Sequence, residues 1–333
     1  MKKILLLSLF SMSTHIIIAQ SKTIGKIDRY DAALDKILDA NSKIEVLGEG
    51  FIWSEGPAWV KNGEYLLFSD VPANIIYRWK KGEEITEFLK PSGYTGIPPY
   101  SDEPGSNGLI INRVGNLVSC EHGDRRLAEM PLTVGGKRTL TDNYMGKRFN
   151  SPNDVVQKSN GDYYFTDPPY GLKGADNSQQ KQQSINGVYR LQSDGQLTLL
   201  AANLTRPNGL AFSPDEQWLY VANSDPEAAQ WWRYPVKADG TLGEGELFFD
   251  ATAAAKLASG LPDGLKVLPS GILLATGPGG VWVLSAAGQH LGTIQTGVAA
   301  ANVALNQDNS WLYITASRYL LRIKLQGNNS GKG

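Results

Sequence analysis

Six segments of this 333-residue chain read alike. Each opens on a polar residue, runs through a short apolar stretch and a turn, and ends as an apolar strand closing on small or acidic residues. They begin at Glu55 (EGPAWVKNGEYLLFSD), Asn107 (NGLIINRVGNLVSCEHG), Asn153 (NDVVQKSNGDYYFTDPP), Asn208 (NGLAFSPDEQWLYVANS), Asp263 (DGLKVLPSGILLATGPG) and Asn302 (NVALNQDNSWLYITAS). The spacings are 52, 46, 55, 55 and 39 residues, a mean of (302 − 55)/5, about 49. A period of that size marks a repeat architecture, because one unit cannot bury its apolar face alone. Asn62-Gly63, Gly115-Asn116, Asn160-Gly161 and Pro269-Ser270-Gly271 supply hairpin turns inside the units, and Asp194-Gly195 and Asp239-Gly240 turn later strands into the next. Further strands are expected at residues 74–79, 187–191, 232–235 and 280–284. Four short strands per period, six times over, predict an all-β fold, a six-bladed β-propeller of four-stranded blades. The alternative is an all-β sandwich whose repeats are accidental.

Composition narrows the function classes. Lys and Arg number 32 against 33 Asp and Glu, for a net charge of −1, without the basic excess of a nucleic-acid binder. The single Cys120 excludes an intrachain disulfide and any zinc-finger or iron–sulfur framework. Three His make a His-based metal site or a Ser-His-Asp triad hard to assemble, and no G-x-S-x-G turn accompanies them. Lys2-Lys3, an apolar stretch and Ala19 read as a signal peptide over residues 1–19, so a periplasmic or secreted location is expected, with no membrane attachment after cleavage. An uncleaved anchor is the other reading, weakened by Ser11, Ser13, Thr14 and His15 within the run. Residues 20–44 form an N-terminal extension with a short helix expected over residues 30–40, and residues 43–47 are a candidate ring-closing strand. The propeller is expected over residues 45–325 and a tail over residues 326–333.

The first residue of every repeat carries a side-chain oxygen: Glu55, Asn107, Asn153, Asn208, Asp263 and Asn302. The innermost strands of a propeller run along its axis, so equivalent positions at one strand end ring one mouth of the channel. Two acids and four amides there suit a hard cation, Ca²⁺ above all, and suit Cu or Zn poorly. The competing reading is a ring of turn-capping Asn and Asp. Glu55, a poor turn cap, and the common register of all six argue against it.

Four motifs in register, Ser54-Glu55-Gly56-Pro57-Ala58-Trp59, Ser151-Pro152-Asn153-Asp154-Val155, Arg206-Pro207-Asn208-Gly209-Leu210 and Pro262-Asp263-Gly264-Leu265, resemble those of the gluconolactonase / senescence-marker-protein / luciferin-regenerating family. Cys120-Glu121-His122-Gly123 and Thr166-Asp167-Pro168-Pro169-Tyr170-Gly171 resemble its secreted bacterial gluconolactonase branch. The resemblance implies a divalent cation on the axis, usually Ca²⁺, with Mg²⁺ or Mn²⁺ as other hard choices, held by Glu55, Asn153, Asn208 and Asp263. Asn107 and Asn302 would then stand behind it or bind substrate. It also implies a small sugar lactone as substrate, with no obligate protein partner. Some members carry a substrate-binding Arg two residues before the third-blade Asn. Here that residue is Ser151, with Arg148 nearby, so the identity of the lactone stays open.

Ring opening needs a polarised carbonyl, an attacking water and a base. Asp263 is the candidate base. His122 is a candidate donor or proton shuttle, or else a structural histidine. Two long connections, residues 90–106 and 167–186, offer Tyr94, Tyr100 and Tyr170 for stacking on a sugar, though the Gln-rich second one also reads as a surface excursion. A phosphotriesterase or other lactonase on the same ring, and a non-catalytic binding propeller, are the rival functions.

Overall fold

The computed structural model describes residues 22–133 and 135–326. Six antiparallel sheets of four or five strands form the molecule, beside one two-stranded ribbon at residues 143–148; four of the six are built from consecutive strands alone, and the other two also take in strands from the N-terminal segment. The innermost strands of blades one to six are Ser54–Val60, Ser106–Ile111, Val155–Gln157, Pro207–Phe212, Leu265–Val267 and Asn302–Leu305. Each touches the next in cyclic order, and the sixth touches the first, which closes a six-bladed propeller.

The second strand of each blade shows why the sequence runs apolar without alternation. In Tyr65–Asp70, Leu66 and Phe68 join Tyr313 and Leu320 of blade six, while Leu67 joins Leu109 and Leu117 of blade two. In Tyr163–Asp167, Tyr164 faces blade four and Phe165 faces blade two. Blades stack face to face, so both sides of such a strand are buried and both must be apolar. Six core clusters result, one per interface between neighbouring blades.

The hairpins use the expected chemistry with one exception. Gly161 takes φ +98°, where a side chain would be strained. At Asn62-Gly63 the left-handed residue is instead Glu64, and Gly63 is needed for space: a Cβ there would lie 2.5 Å from the Tyr65 ring.

Closure comes from the N-terminal segment. Ile44–Glu49 pairs with Tyr319–Lys324 as the fourth strand of blade six. Thr23–Ile24 then adds a fifth strand to that sheet, and Lys26–Arg29 adds a fifth to blade five. The helix expected over residues 30–40 is a single 3-10 turn, Ala32–Lys36, capped by Asp31 on the Ala33 N–H at 2.7 Å. It drives Leu34, Ile37 and Leu38 into the interface of blades five and six. The expected signal peptide lies outside the described residues. Among the described residues no helix is long and apolar enough to cross a membrane.

Candidate active site

Four of the six ring residues are followed by glycine: Glu55-Gly56, Asn107-Gly108, Asn208-Gly209 and Asp263-Gly264. Each glycine admits the neighbouring blade. A Cβ on Gly56 would lie 2.0 Å from the Asn107 carbonyl oxygen, on Gly108 2.6 Å from that of Asn153, on Gly209 2.3 Å from that of Asp263, and on Gly264 1.9 Å from Asn302 Cγ. The pairing register breaks just after the ring residue in blade one, and across Asn107 in blade two and Asn208 in blade four. These bulges re-aim the side chains. The ring residues are thereby drawn together around one mouth of the channel.

The cavity at that mouth is about 310 Å³ and is lined by Glu55, Asn107, Asn153, Asn208 and Asp263, with Trp53, Glu103, Tyr170, Ser224 and Leu261 among its walls. A larger hollow of about 640 Å³ between blades one and two is lined by Lys61, Arg113 and Leu132 and has no converging carboxylates, so the chemistry belongs to the smaller one. The amides are oriented by a relay. Ser224 Oγ donates to the Pro262 carbonyl, Asn208 Nδ2 donates to Ser224 Oγ at 2.9 Å, and Asn153 Nδ2 donates to Asn208 Oδ1 at 2.7 Å. Asn153 Oδ1 is left buried without a partner. An orphaned buried acceptor is costly, and one pointing into a carboxylate-lined cavity fits a cation.

The carboxylates are under electrostatic stress. Burial lifts Glu55 from 4.5 to about 8, with Asp154 and Glu103 adding repulsion and the Gly56 N–H, 2.9 Å from Oε2, opposing it. Asp263 is raised by burial first and then by Glu55, Asp154 and Glu103. Neither has a cationic side-chain partner among the described residues. A divalent ion between them would oppose both shifts, favouring the ionised carboxylates against burial and mutual repulsion. Among the described residues no three His, Cys, Asp or Glu group as a metal cluster, and half of the candidate oxygens here are amides.

The other expected site residues are scattered. Tyr170 lines the cavity, with Oη 3.4 Å from the Ser224 carbonyl and its hydroxyl raised by burial and then by Asp263. Asn302 lies under the ring, where Oδ1 accepts the Val303 N–H at 2.8 Å and the amide favours the ionised forms of Glu55 and Asp154. His122 is fully buried behind the cavity wall. Its Nδ1 donates to the Glu103 carbonyl at 3.2 Å, Nε2 has no partner, and burial lowers it to about 4, so it is neutral at pH 7. Arg148 stands outside the lining: its N–H donates to Gln182 Oε1 at 2.7 Å and its guanidinium to the Asp124 carbonyl. Ser151 pins a loop, its N–H on Asp167 Oδ1 at 2.8 Å and its hydroxyl on the Pro168 carbonyl at 2.6 Å. Tyr94 and Tyr100 stack on each other, centroids 5.2 Å apart, and neither lines the cavity.

Two acids at the site were not anticipated. Glu103, on the loop before blade two, is raised to about 7 by burial and then by Asp102. Asp154 is buried beneath the ring and raised by burial, with Lys266 as the main opposing charge. The repeat carried a signal for Asp154: it occupies the position that is glycine in four blades.

Residues 53–318 match the SMP-30/Gluconolactonase/LRE-like region family. The chain is 42% identical over 313 residues, 91% of its own length and 86% of the relative's, to a gluconolactonase of Zymomonas mobilis. It is 26% identical over 280 residues, 82% of its length and 86% of the relative's, to a 6-deoxy-6-sulfogluconolactonase of Pseudomonas putida. A solved gluconolactonase from Xanthomonas campestris superposes with a TM-score of 0.78 at 30% identity, over 94% of this chain and 100% of that one. On the ring geometry, the six-bladed fold and these matches, the chain belongs to the SMP-30/gluconolactonase/LRE-like family.

Proposed function

We propose that this protein opens sugar lactones of the gluconolactone type to aldonic acids, with a hard divalent cation, Ca²⁺ ahead of Mg²⁺ or Mn²⁺, held by Glu55, Asn153, Asn208 and Asp263. The observation that carries the reading is the pairing of two buried, cation-less carboxylates with a bare amide oxygen in one cavity. The similarity to a gluconolactonase over most of both chains supports the substrate class. A bound cation would supply Lewis acidity to the lactone carbonyl. Asp263 takes the proton of the attacking water and returns it to the ring oxygen as the acyl C–O bond breaks. Glu55 fixes and neutralises the ion, and the Ser224 relay holds the amide oxygens inward. Tyr170 and Asn107 offer a wall and a polar contact to the sugar.

The test is proton release from a panel of aldonolactones, followed by pH-stat with and without chelator. Turnover of a six-carbon lactone that chelation abolishes and Ca²⁺ restores is expected. Turnover unaffected by chelation, or a phosphotriester cleaved in preference to every lactone, refutes the reading. Export is proposed from the N-terminal residues alone, and fractionation of expressing cells for activity outside the cytoplasm tests it.

A further inference from the structure

We infer that Glu103 is a specificity-determining residue, whose ionised carboxylate beside the reacting centre disfavours anionic lactones and expels the aldonate product; this rests on the lactonase reading above. Ring opening changes charge. Water adds across the acyl C–O bond, giving a hydroxyl and a carboxylic acid, and the acid ionises with release of one proton. The product therefore carries a negative charge that the neutral substrate lacks. A site built only to attract oxygen anions to a cation would hold its product.

The structure supplies the counterweight. Glu103 shares the cavity wall with Glu55, Asn107, Asn153 and Asp263. Its place is set by main-chain bonds on three consecutive residues: His122 Nδ1 donates to the Glu103 carbonyl at 3.2 Å, the Gly123 N–H to Pro104 at 3.0 Å, and the His122 N–H to Gly105 at 3.1 Å. The Gly105 N–H in turn donates to the Val71 carbonyl at 2.9 Å. His122 thus acts as a positioning residue, since a carbonyl only accepts and Nδ1 must carry the proton. Nothing cancels the carboxylate. Its side chain is 37% exposed, and the nearest basic group, His122 Nδ1 at 4.0 Å from Oε2, is neutral. A divalent cation would balance Glu55 and Asp263, and Lys266 opposes Asp154. Glu103 is the acid left over. At a few ångströms and an effective dielectric near that of a protein surface, one such charge changes the affinity of an anion by about tenfold or more.

The experiment compares wild-type protein with Glu103→Gln, and with Glu103→Ala as a second variant, at saturating Ca²⁺ and pH 8, above the value to which burial raises Glu103. Gluconate affinity is measured by calorimetry, and kcat/KM is measured for gluconolactone and for the anionic glucaro-1,4-lactone. Expected are gluconate bound about tenfold more tightly by both variants, and a preference for the neutral lactone that shrinks by a similar factor. Unchanged or weaker gluconate binding in a variant that still turns over gluconolactone overturns this inference and leaves the lactonase reading intact. Cation affinity lost by a hundredfold or more would make Glu103 a ligand and also overturns it. Failure of the wild-type protein to open any neutral lactone overturns the lactonase reading and this one with it.

Discussion

Removing a carboxylate from the ring should stabilise the metal-free protein. Consider Glu55→Gln. In the unfolded chain Glu55 ionises near its ordinary value of 4.5, while in the fold burial and neighbouring acids hold the proton to about 8. The raised folded value favours the neutral form, so stability is lost as pH climbs from 4.5 and levels off only past about 8. At pH 7 the folded group still holds its proton and the unfolded one has lost it. The span from 4.5 to 7 is 2.5 pH units, which at about 1.36 kcal/mol each costs about 3 kcal/mol. Because the group is fully buried, solvent does not discount this figure. Gln does not titrate and retains an oxygen for the Gly56 N–H. With an unfolding entropy of about 2.1 cal/mol/K per residue over about 300 residues, the gain is about 5 °C in Tm. The assay is thermal unfolding in excess chelator at pH 7 and pH 4. The variant should melt about 5 °C higher at pH 7 and together with the wild type at pH 4. In Ca²⁺ the order should reverse, because the wild type gains the binding energy of the ion. A chelated variant no more stable than the chelated wild type at pH 7 refutes the account of Glu55 as a strained, cation-awaiting carboxylate.

Asp263→Asn should lose about 10²–10⁴-fold in kcat even at saturating Ca²⁺, whereas added Ca²⁺ should restore much of the rate of Glu55→Gln; rescue of Asp263→Asn by Ca²⁺ would move the base elsewhere. Gly264→Ala forces a methyl to within 1.9 Å of Asn302 Cγ. It should cost about 1–3 kcal/mol in denaturant unfolding and weaken cation binding together, and a variant with wild-type affinity would show that the ring tolerates displacement. Lys266→Met removes the main charge opposing burial at Asp154 and should destabilise the protein by about 1–3 kcal/mol at pH 7, with the loss fading as Asp154 protonates in acid. A loss independent of pH would point to packing instead.

The parts of the fold legible in the sequence were those set by burial on both faces. Tyr65–Asp70 and Leu273–Gly277 read as strands because each side meets another blade, and the six ring residues read as a set because the repeat places them at one strand end. Other features had no such periodic signature. Thr23–Ile24 and Lys26–Arg29 are too short to show alternation and are strands only because blades six and five offer edges. Leu34, Ile37 and Leu38 carry helical spacing, yet Asp39 caps the Asn41 N–H at 2.8 Å and turns the chain away after one 3-10 turn. Glu103 sits in a Gly- and Pro-rich loop, where its position depends on main-chain carbonyls that any sequence would present. Asp154 was hidden inside an Asn-Asp-Val motif read for its asparagine. Arg148 and the stacked pair Tyr94 and Tyr100 carry chemistry suited to a sugar, but they face other protein groups.

The way the ring is fastened has a temporal consequence. Ile44 pairs with Ile323 and Lys26 with Gln295, so Ile44–Glu49 and Lys26–Arg29 meet their blades only after nearly the whole chain exists. Blades one to four are each contiguous hairpins that can assemble as they emerge. Until blade six arrives, the N-terminal strands and the open face of blade one have nothing to cover them, and such edges invite pairing between nascent chains. Vectorial synthesis therefore leaves a late, non-local annealing step, slow because the long loop must close before the contacts that reward it can form. A chain stopped before residue 319 lacks the strand that accepts Ile44–Glu49, however complete its first five blades.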